Sequence, residues 1–268
     1  MSIGNDGSGT EILGWSEILD RWEDQQGVYV EGRERGYQLM MSLLDVLVPG
    51  KIAVLDLAAG PGSLSKRLLQ HRSDAQCTAI DIDPVLQTIG RGALGTLDGR
   101  LQWVTADLRD ESWSEAFGKS SFDAVISSTA THWLSPSTLA SMYENLARLI
   151  RPGGVFVNFD KYPPLDGRPS LAAASGSIDA TQQLAALQNG AESWQDWWET
   201  LRSAPQLASA FAERDRIFAS PVGRIFPVTT GGKGTSVEFN MQTLRQVGFA
   251  EVDVVWQHLQ RRIVAAVR

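Results

Sequence analysis

Hydrophobic and polar residues follow two different spacings along residues 51–160. Short runs rich in Val, Ile, Leu and Ala indicate strands, and the segments between them carry apolar residues every three or four positions, as amphipathic helices do. The predicted strands cover residues 51–58, 75–83, 101–107, 122–128 and 155–160, and the predicted helices cover 63–71, 84–94 and 135–150. Strands that alternate with helices of this length are typical of a parallel sheet with helices on both faces.

The two ends of the chain add to this core. Two helices are predicted before it, over residues 11–25 and 35–48, and one helix is predicted after it, over 236–249. Residues 250–268 then form two strands with a short break near 257–260, and strands joined so closely pair antiparallel. The sequence therefore predicts an α/β fold whose seven-stranded sheet is mostly parallel and closes with a C-terminal antiparallel hairpin.

Residues 161–235 separate the fifth strand from the last helix, and this segment is too long for a plain connection. Helical patterns cover residues 181–190 and 192–218, and three of the nine tryptophans lie in the second pattern. We expect a helical insertion that lies over one edge of the sheet.

Composition narrows the classes of function. Hydrophobic residues make up 43% of the 268 residues and charged residues 21%, as in soluble globular proteins, and no apolar run reaches the roughly 18 residues of a membrane span. The first ten residues lack the regions of a secretory signal, so we expect a cytoplasmic protein without a membrane partner. The net charge of −7 disfavours a nucleic-acid partner and leaves a small molecule as the expected ligand.

Disulfide and metal chemistry find no support in the sequence. The single cysteine, Cys77, excludes an intrachain disulfide and a cysteine-rich zinc site. The histidines His71, His132 and His258 are widely spaced and show no metal-ligand pattern, so no metal site is predicted.

Four loops follow predicted strands and meet at the carboxyl edge of the sheet, where such folds bind ligands. The first loop is the glycine turn in "VLDLAAGPGS", residues 54–63, and glycines at a turn let a ligand approach the backbone. Asp81 ends the second strand 19 residues after Gly62, the spacing at which a carboxylate meets ribose hydroxyls. A carboxylate can accept two hydrogen bonds from a diol, so these loops predict an adenosine-bearing ligand.

An NAD-dependent dehydrogenase would share this spacing, but three features argue against one. The turn reads Gly60-Pro61-Gly62-Ser63, without the third glycine of the dinucleotide fingerprint, and no Tyr-x-x-x-Lys pattern follows the fourth strand. Asp56 in the first strand would repel a pyrophosphate, whereas it would suit a ligand with an amino group. S-adenosylmethionine carries adenosine, an ammonium and a sulfonium without any phosphate, and it is therefore the favoured cofactor.

At these motifs the sequence resembles the class I S-adenosylmethionine-dependent methyltransferases. The matching stretches are "VLDLAAGPGS", "IDIDP", "ADL", "SSTATHWL" and "RPGGVFV", and the resemblance covers residues 40–160 and 236–268. Within that class, "THWL" and the ending "GFAEVDVVWQ" are similar to the trans-aconitate-methyltransferase-like branch. The resemblance implies a Rossmann-like fold, S-adenosylmethionine as cofactor and S-adenosylhomocysteine as product. One departure is Ala58, which stands where the family often has its first glycine.

The resemblance also implies roles for residues at the carboxyl edge of the sheet. Asp56 would order the turn and meet the methionine ammonium, directly or through water, and Asp81 would hold the ribose hydroxyls. Asp107 would accept a hydrogen bond from the adenine amino group. The residues expected to bind the cofactor are Asp56, Ala58, Gly60, Asp81, Ile82, Asp107, Leu108 and Ser128.

The expected acceptor site centres on His132, the histidine of a predicted site loop. Histidine titrates near neutral pH, so His132 can act as a general base or as an orienting donor; the alternative is a structural, hydrogen-bonded histidine. The residues expected to contact the acceptor are Trp133, Trp197 and Trp256, although tryptophans of this kind also form core.

We therefore expect one methyltransferase domain with N-terminal helices in 1–48, a cofactor-binding core in 49–160 and 236–268, and a helical cap over the acceptor site in 161–235. It would transfer a methyl group to a small-molecule acceptor, with oxygen favoured over nitrogen, as a monomer or homodimer. Two alternatives keep the cofactor. One is a rearrangement or cyclisation without methyl transfer, and the other is a protein that only senses the cofactor.

Overall fold

Seven strands form one mixed sheet in the computed structural model, which describes residues 13–119, 121–163, 168–219 and 234–268. The strands are β1 (Ala53–Leu57), β2 (Gln76–Asp81), β3 (Leu101–Thr105), β4 (Phe122–Ser128), β5 (Ile150–Lys161), β6 (Glu251–His258) and β7 (Arg261–Val267). Their order across the sheet is β3-β2-β1-β4-β5-β7-β6. Strands β1 to β5 run parallel, and β7 pairs antiparallel with both β5 and β6. The predicted α/β fold with its C-terminal hairpin is therefore confirmed.

Several helices begin at a side-chain cap. The helices of the described residues are α1 (Trp15–Tyr29), α2 (Arg33–Leu47), α3 (Ser63–His71), α4 (Pro84–Leu94), α5 (Pro136–Leu149), α6 (Pro169–Gln188), α7 (Trp194–Arg202), α8 (Ala208–Ala219) and α9 (Val237–Gln246). Asp83 accepts hydrogen bonds from two backbone amides at the start of α4, and Ser135 caps α5 in the same manner. Because a cap satisfies amides that the helix leaves unpaired, it fixes where the helix begins. In these parts of the chain no helix combines the length and the apolar character needed to cross a membrane.

Apolar side chains leave the central strands in alternation and build a core on each face of the sheet. Val54 points to the face covered by α2 and α3, where it joins Met40 and Leu68. Leu55 points to the opposite face, covered by α5 and α9, where it joins Leu146. All five side chains are buried. A strand that is covered on both faces needs apolar residues at nearly every position, which explains the continuous apolar run in the first strand.

The helices α7 and α8 pack against α1 and α4 through a third apolar cluster. Trp22 on α1 contacts Trp197 on α7, with ring centroids 5.0 Å apart. Arg214 on α8 donates a hydrogen bond to the Asp83 carboxylate at 2.7 Å. These contacts join two helices of the insertion to the N-terminal helix and to the start of α4.

The described part of the insertion consists mainly of helices. The first pattern, expected over 181–190, belongs to α6, which begins earlier, at Pro169. The second pattern divides into α7 and α8, since Pro205 between them lacks the amide hydrogen that a continuous helix requires. The division of the chain into helices, core and cap stays a prediction, and its residues 1–12, 120, 164–167 and 220–233 lie outside the described residues.

The strand β5 differs from its predicted extent. It begins at Ile150, directly after α5, rather than at residue 155. Its pairing with β4 is irregular at this end, so residues 151–154 form a bulged start to the strand. The Arg-Pro-Gly-Gly sequence is typical of a turn, but Arg151 donates to the Asp123 carboxylate at 2.5 Å and holds this stretch against β4.

The turn after β1 has three residues in the left-handed conformation. Ala58, Gly60 and Gly62 have φ angles of 51°, 56° and 86°. Glycine tolerates such angles, and at Gly62 a Cβ atom would also lie 2.7 Å from the Trp103 ring. A residue with a Cβ in this conformation costs about 1–2 kcal/mol, so Ala58 is strained at the position where the related family often has glycine.

Replacing Ala58 with glycine should stabilise the fold. Glycine removes the steric cost of the left-handed conformation but gives the unfolded chain more freedom, so we expect the free energy of unfolding to rise by about 0.5–1 kcal/mol. Urea denaturation measures this change. The matched control is Ala59→Gly, because Ala59 has no positive φ, and glycine there should lower stability by about 0.5–1 kcal/mol. Equal losses in the two variants would contradict the prediction.

Candidate cofactor and acceptor site

The strand order reverses between β1 and β4, and open α/β sheets bind ligands at the carboxyl edge beside such a reversal. The glycine turn follows β1 at this edge, Asp81 ends β2, and Ser128 ends β4. Asp107 follows β3 at the same edge. The fold therefore brings the predicted cofactor residues to one edge of the sheet.

Asp81 joins the glycine turn to the end of β2. Its carboxylate accepts one hydrogen bond from the Gly60 amide and one from the Asp83 amide, both at 2.7 Å. Burial raises the pKa of Asp81 to about 6. Each carboxylate oxygen can accept a second hydrogen bond, so Asp81 can still hold two hydroxyls of a ribose. Ile82, half-buried, lies in the loop beside it.

Asp56 lies beneath the first turn of α3. Its side chain is buried and accepts a hydrogen bond from Ser65 Oγ at 2.6 Å, and the Cys77 thiol lies 3.3 Å from the same hydroxyl. Burial raises the pKa of Asp56 to about 7 and also raises the pKa of the Cys77 thiol. The contact with Ser65 ties β1 to the helix that follows the glycine turn. The contact of Asp56 with a cofactor ammonium stays a prediction.

Asp107 is held by an arginine that the sequence analysis did not single out. Its two carboxylate oxygens each accept a hydrogen bond from the Arg109 guanidinium at 2.8 Å, and Oδ1 also accepts from the Arg109 amide at 2.9 Å. An adenine amino group would have to share this carboxylate with the guanidinium, and that contact stays a prediction. Leu108 packs against the core on the α5 face.

Ser128 contacts Tyr37, which α2 places over the end of β4. The Tyr37 hydroxyl donates to Ser128 Oγ at 3.2 Å. The guanidinium groups of Arg33 and Arg67 lie 5.0 and 5.2 Å from the Tyr37 ring centroid, within cation–π range. Burial would raise the pKa of Glu23, but the charges and hydrogen bonds of these two arginines lower it to about 2. The charged residues around Tyr37 belong to α1, α2 and α3, outside the motifs, and sequence reasoning missed them.

His132 lies against a buried carboxylate at the end of β5. Its Nδ1 is 2.5 Å from Asp160 Oδ1, and its backbone amide donates to Asp160 Oδ2 at 3.1 Å. The Asp160 side chain has no exposed surface, whereas 23% of the His132 side chain is exposed. A carboxylate at Nδ1 fixes the orientation of the ring and leaves Nε2 as the nitrogen that can take a proton.

Further donors complete the surroundings of Asp160. Thr131 Oγ1 donates to its carboxylate at 2.6 Å and the Lys161 amide donates at 2.7 Å. Burial would raise the pKa of Asp160, but the His132 ring and these hydrogen bonds hold it below its usual value. Asn158 donates to Thr131 Oγ1 at 2.8 Å and extends the network. Sequence reasoning missed Asp160, although two polar residues alternating in the apolar stretch "VFVNFD" were a signal.

The three tryptophans expected at the acceptor lie in different places. Trp133 is 46% exposed, and its ring centroid is 4.8 Å from that of His132. Trp197 is fully buried in the cluster of α1, α4, α7 and α8. Trp256 packs edge-on against Phe159, on the face covered by α2. Of the three, Trp133 is the one beside His132, and the acceptor contacts of all three stay predictions.

Comparison with known proteins finds similarity to methyltransferases. Residues 54–154 match the family model described as "Methyltransferase domain". An uncharacterized methyltransferase of Synechocystis sp. is 32% identical over 136 residues, which are 50% of this chain and 58% of that protein. Trans-aconitate 2-methyltransferase of Azoarcus sp. is 27% identical over 138 residues, which are 51% of this chain and 49% of that protein. The chain thus spans about half the length of the curated relatives that it matches.

The fold has relatives among solved structures. An O-methyltransferase family protein of Burkholderia thailandensis superposes with a TM-score of 0.54 at 15% identity, over 93% of this chain and 68% of that chain. At this identity the likeness concerns the fold. Together with the domain match, these findings confirm the predicted resemblance to S-adenosylmethionine-dependent methyltransferases, including the trans-aconitate branch, and the Rossmann-like fold. The domain match agrees with S-adenosylmethionine as the expected cofactor, and the buried Asp81 beside the glycine turn is suited to its ribose.

The raised pKa of Asp56 predicts how stability changes with pH. The ordinary pKa is 3.8 and the folded value is about 7, so between these values the folded protein holds a proton that the unfolded chain releases. The stability from this group is therefore full below the ordinary pKa and is lost as the pH rises through about 7. Asp56→Asn lacks the titrating group and therefore escapes this loss. As the pH rises from about 4 to about 7, its free energy of unfolding minus that of wild type should increase by up to about 4 kcal/mol.

Urea denaturation of both proteins at about pH 4 and about pH 8 measures this change. Asp253→Asn is the control, because Asp253 is exposed on β6 and its removal should leave the difference from wild type nearly independent of pH. The same difference between Asp56→Asn and wild type at both pH values would contradict the burial of a protonated Asp56.

Proposed function

We propose that this protein transfers a methyl group from S-adenosylmethionine to a hydroxyl oxygen of a small-molecule acceptor. The observation that carries this proposal is the contact of His132 with the buried Asp160 at the ligand-binding edge of the sheet. A hydroxyl must lose its proton as the methyl group arrives, and a histidine oriented by a carboxylate can take that proton. A carboxylate acceptor needs no base, so this pair favours a hydroxyl over a carboxylate.

The protein's part in the reaction is to bind, align and move one proton. When bound, S-adenosylmethionine supplies a methyl group on a sulfonium, which is a good leaving group. Asp81 and the backbone of the glycine turn would hold the nucleoside and methionine ends. His132 Nε2 would take the hydroxyl proton, and Asp160 would stabilise the imidazolium that forms. Alignment of the reacting groups can contribute roughly 7–11 kcal/mol.

The helical insertion is the proposed cap over the acceptor. Its helices α7 and α8 pack on α1 and α4, and Arg214 reaches Asp83 in the loop that follows Asp81. A covered site excludes water from the reaction and admits a small molecule more readily than a polymer. One relative is a trans-aconitate 2-methyltransferase, which agrees with a small acceptor.

The net charge of −7 supports the absence of a nucleic-acid partner. The cytoplasmic location, the absence of a membrane partner and the state as monomer or homodimer stay predictions.

Calorimetric titration with S-adenosylhomocysteine tests the cofactor. We expect binding in the micromolar range or tighter, no comparable binding of NAD, and loss of binding in Asp81→Ala because the ribose loses its acceptors. Asp253→Ala, which changes an exposed carboxylate on β6, is the matched control and should bind like wild type. A preference for NAD, or full binding by Asp81→Ala, would contradict this assignment of the site.

Release of S-adenosylhomocysteine from S-adenosylmethionine, measured over a panel of hydroxylated acceptors, tests the reaction. His132→Gln should lower kcat by roughly 10²- to 10⁴-fold and leave S-adenosylhomocysteine affinity unchanged, because the base acts on the acceptor. Asp160→Asn should lower kcat in the same direction. The control is His71→Gln, since His71 is an exposed histidine that pairs with Asp45 away from the sheet edge.

Two outcomes would count against this function. Undiminished kcat in His132→Gln would show that His132 is not the base and would contradict its proposed role. The second outcome is a protein that binds S-adenosylhomocysteine tightly but forms none from S-adenosylmethionine with any acceptor. That result would favour cofactor sensing or a rearrangement over methyl transfer.

A further inference from the structure

Arg262 stands directly opposite Asp160 in the antiparallel pairing of β7 with β5. Directly opposed residues of an antiparallel pair project from the same face of the sheet, with Cβ atoms about 4.5–5.5 Å apart. The Arg262 side chain therefore leaves the sheet on the face that carries Asp160, and Asp160 in turn contacts His132. A cation and the proposed base thus share one face at the carboxyl end of β5.

The Arg262 guanidinium is buried and forms no ion pair with a carboxylate of the residues that the structure describes. Arg262 is 9% exposed, and its Nη1 donates a hydrogen bond to the Tyr162 carbonyl oxygen at 3.0 Å. None of the ion pairs found among residues 13–119, 121–163, 168–219 and 234–268 includes it, and Glu238 acts on it only through its more distant charge. Burial lowers the pKa of Arg262. A guanidinium has five donors, so one hydrogen bond leaves most of them unused.

The preceding residue provides a contrast. Arg261 Nη1 donates to Asp179 Oδ1 at 3.1 Å, and both of these side chains are 8% exposed. Arg261 Nη2 also donates to the Tyr29 carbonyl oxygen. Arg261 therefore joins β7 to α6 and α1 and has a structural role. Burying a charge without an ion-pair partner costs stability, and among the described residues no carboxylate, Asp160 included, forms an ion pair with Arg262, so a bound anion would stabilise this position.

We propose that Arg262 binds a carboxylate of the acceptor, separate from the hydroxyl that faces His132. This inference rests on the proposed function and adds a substrate class, the hydroxycarboxylic acids. The planar guanidinium can donate two parallel hydrogen bonds to a carboxylate, which fixes the position and the orientation of the bound molecule. An acceptor anchored at Arg262 would present its hydroxyl to His132 in one orientation.

The carboxylate bound here belongs to the acceptor rather than to the cofactor. The residues expected to hold the cofactor lie on β1, β2 and β4 and in the loops that follow β1, β2 and β3. Two steps of the sheet order separate β7 from β4, and neighbouring strands are about 4.7–4.9 Å apart, so β7 lies roughly 10 Å from β4. The strand between them is β5, which carries Asp160, the partner of His132, so a carboxylate held at Arg262 would lie on the acceptor side of the site.

Calorimetric titration of the protein saturated with S-adenosylhomocysteine tests the inference. The probes are a panel of hydroxycarboxylates, from malate to 4-hydroxybenzoate, each beside its amide. We expect a carboxylate of this panel to bind at least about 10-fold more tightly than its amide, because the amide lacks the charge that pairs with Arg262. Arg262→Met should weaken binding of that carboxylate by about 10- to 100-fold. The affinities for its amide and for S-adenosylhomocysteine should not change. Arg262→Lys should restore part of the loss.

Two controls separate binding from folding. Arg216→Met removes an exposed arginine of α8 and should bind both probes like wild type. Thermal unfolding of Arg262→Met checks the fold, and a purely structural role would weaken acid and amide alike. Three results would overturn the inference in a protein that still binds S-adenosylhomocysteine. They are equal affinity of wild type for acids and amides, no binding of any acid, and unchanged acid affinity in Arg262→Met. Failure of S-adenosylhomocysteine itself to bind would overturn the proposed function as well.

Discussion

The carboxylate of Asp160 is a negative charge inside the protein, and the arrangement of the acceptor side depends on how that charge is satisfied. A buried carboxylate without partners would cost several kcal/mol. The side chain and amide of His132, the hydroxyl of Thr131 and the amide of Lys161 supply the donors. The loop after β4 therefore cannot leave β5 without exposing an unsatisfied charge. A structural requirement and a proposed catalytic geometry are met by the same contacts.

On the cofactor side, Asp81 is the buried carboxylate that joins neighbouring segments through its hydrogen bonds. It links the glycine turn to the end of β2 through Gly60, and the adjacent Asp83 both caps α4 and accepts from Arg214 of the insertion. A continuous set of contacts thus runs from the turn, through the loop after β2, to α8. These contacts connect α8 of the insertion physically to the loop that is expected to hold the cofactor.

The regular parts of this fold were predictable because they repeat. Alternating strand and helix patterns, together with the closely joined strands at the end, are enough to predict the sheet, and the spacing from Gly62 leads to Asp81. The predicted start of β5 was wrong because a turn sequence forms the bulged beginning of the strand, where Arg151 pairs with Asp123 on the neighbouring strand β4. Local sequence does not report such a long-range ion pair.

The acceptor side was harder to predict for the same reason. His132 was found as a histidine in a site loop, but its partner Asp160 lies in a different strand, and Arg262 comes beside that strand only through the antiparallel register of β7. Three tryptophans were assigned to the acceptor site because of their residue type, and residue type does not tell on which face of the sheet a side chain lies. Trp197 became core, and Trp256 lies on the face covered by α2.

The position of Trp22 makes it an intrinsic fluorescent probe of two parts of the protein. Its ring centroid is 5.0 Å from that of Trp197 and 5.6 Å from that of Trp194, and a Cβ on Gly60 would lie 3.9 Å from it. One indole therefore packs against the insertion and lies close to the glycine turn. Indole emission responds to neighbours at such distances, so the contribution of Trp22 to the emission of the nine tryptophans responds both to the turn and to the insertion.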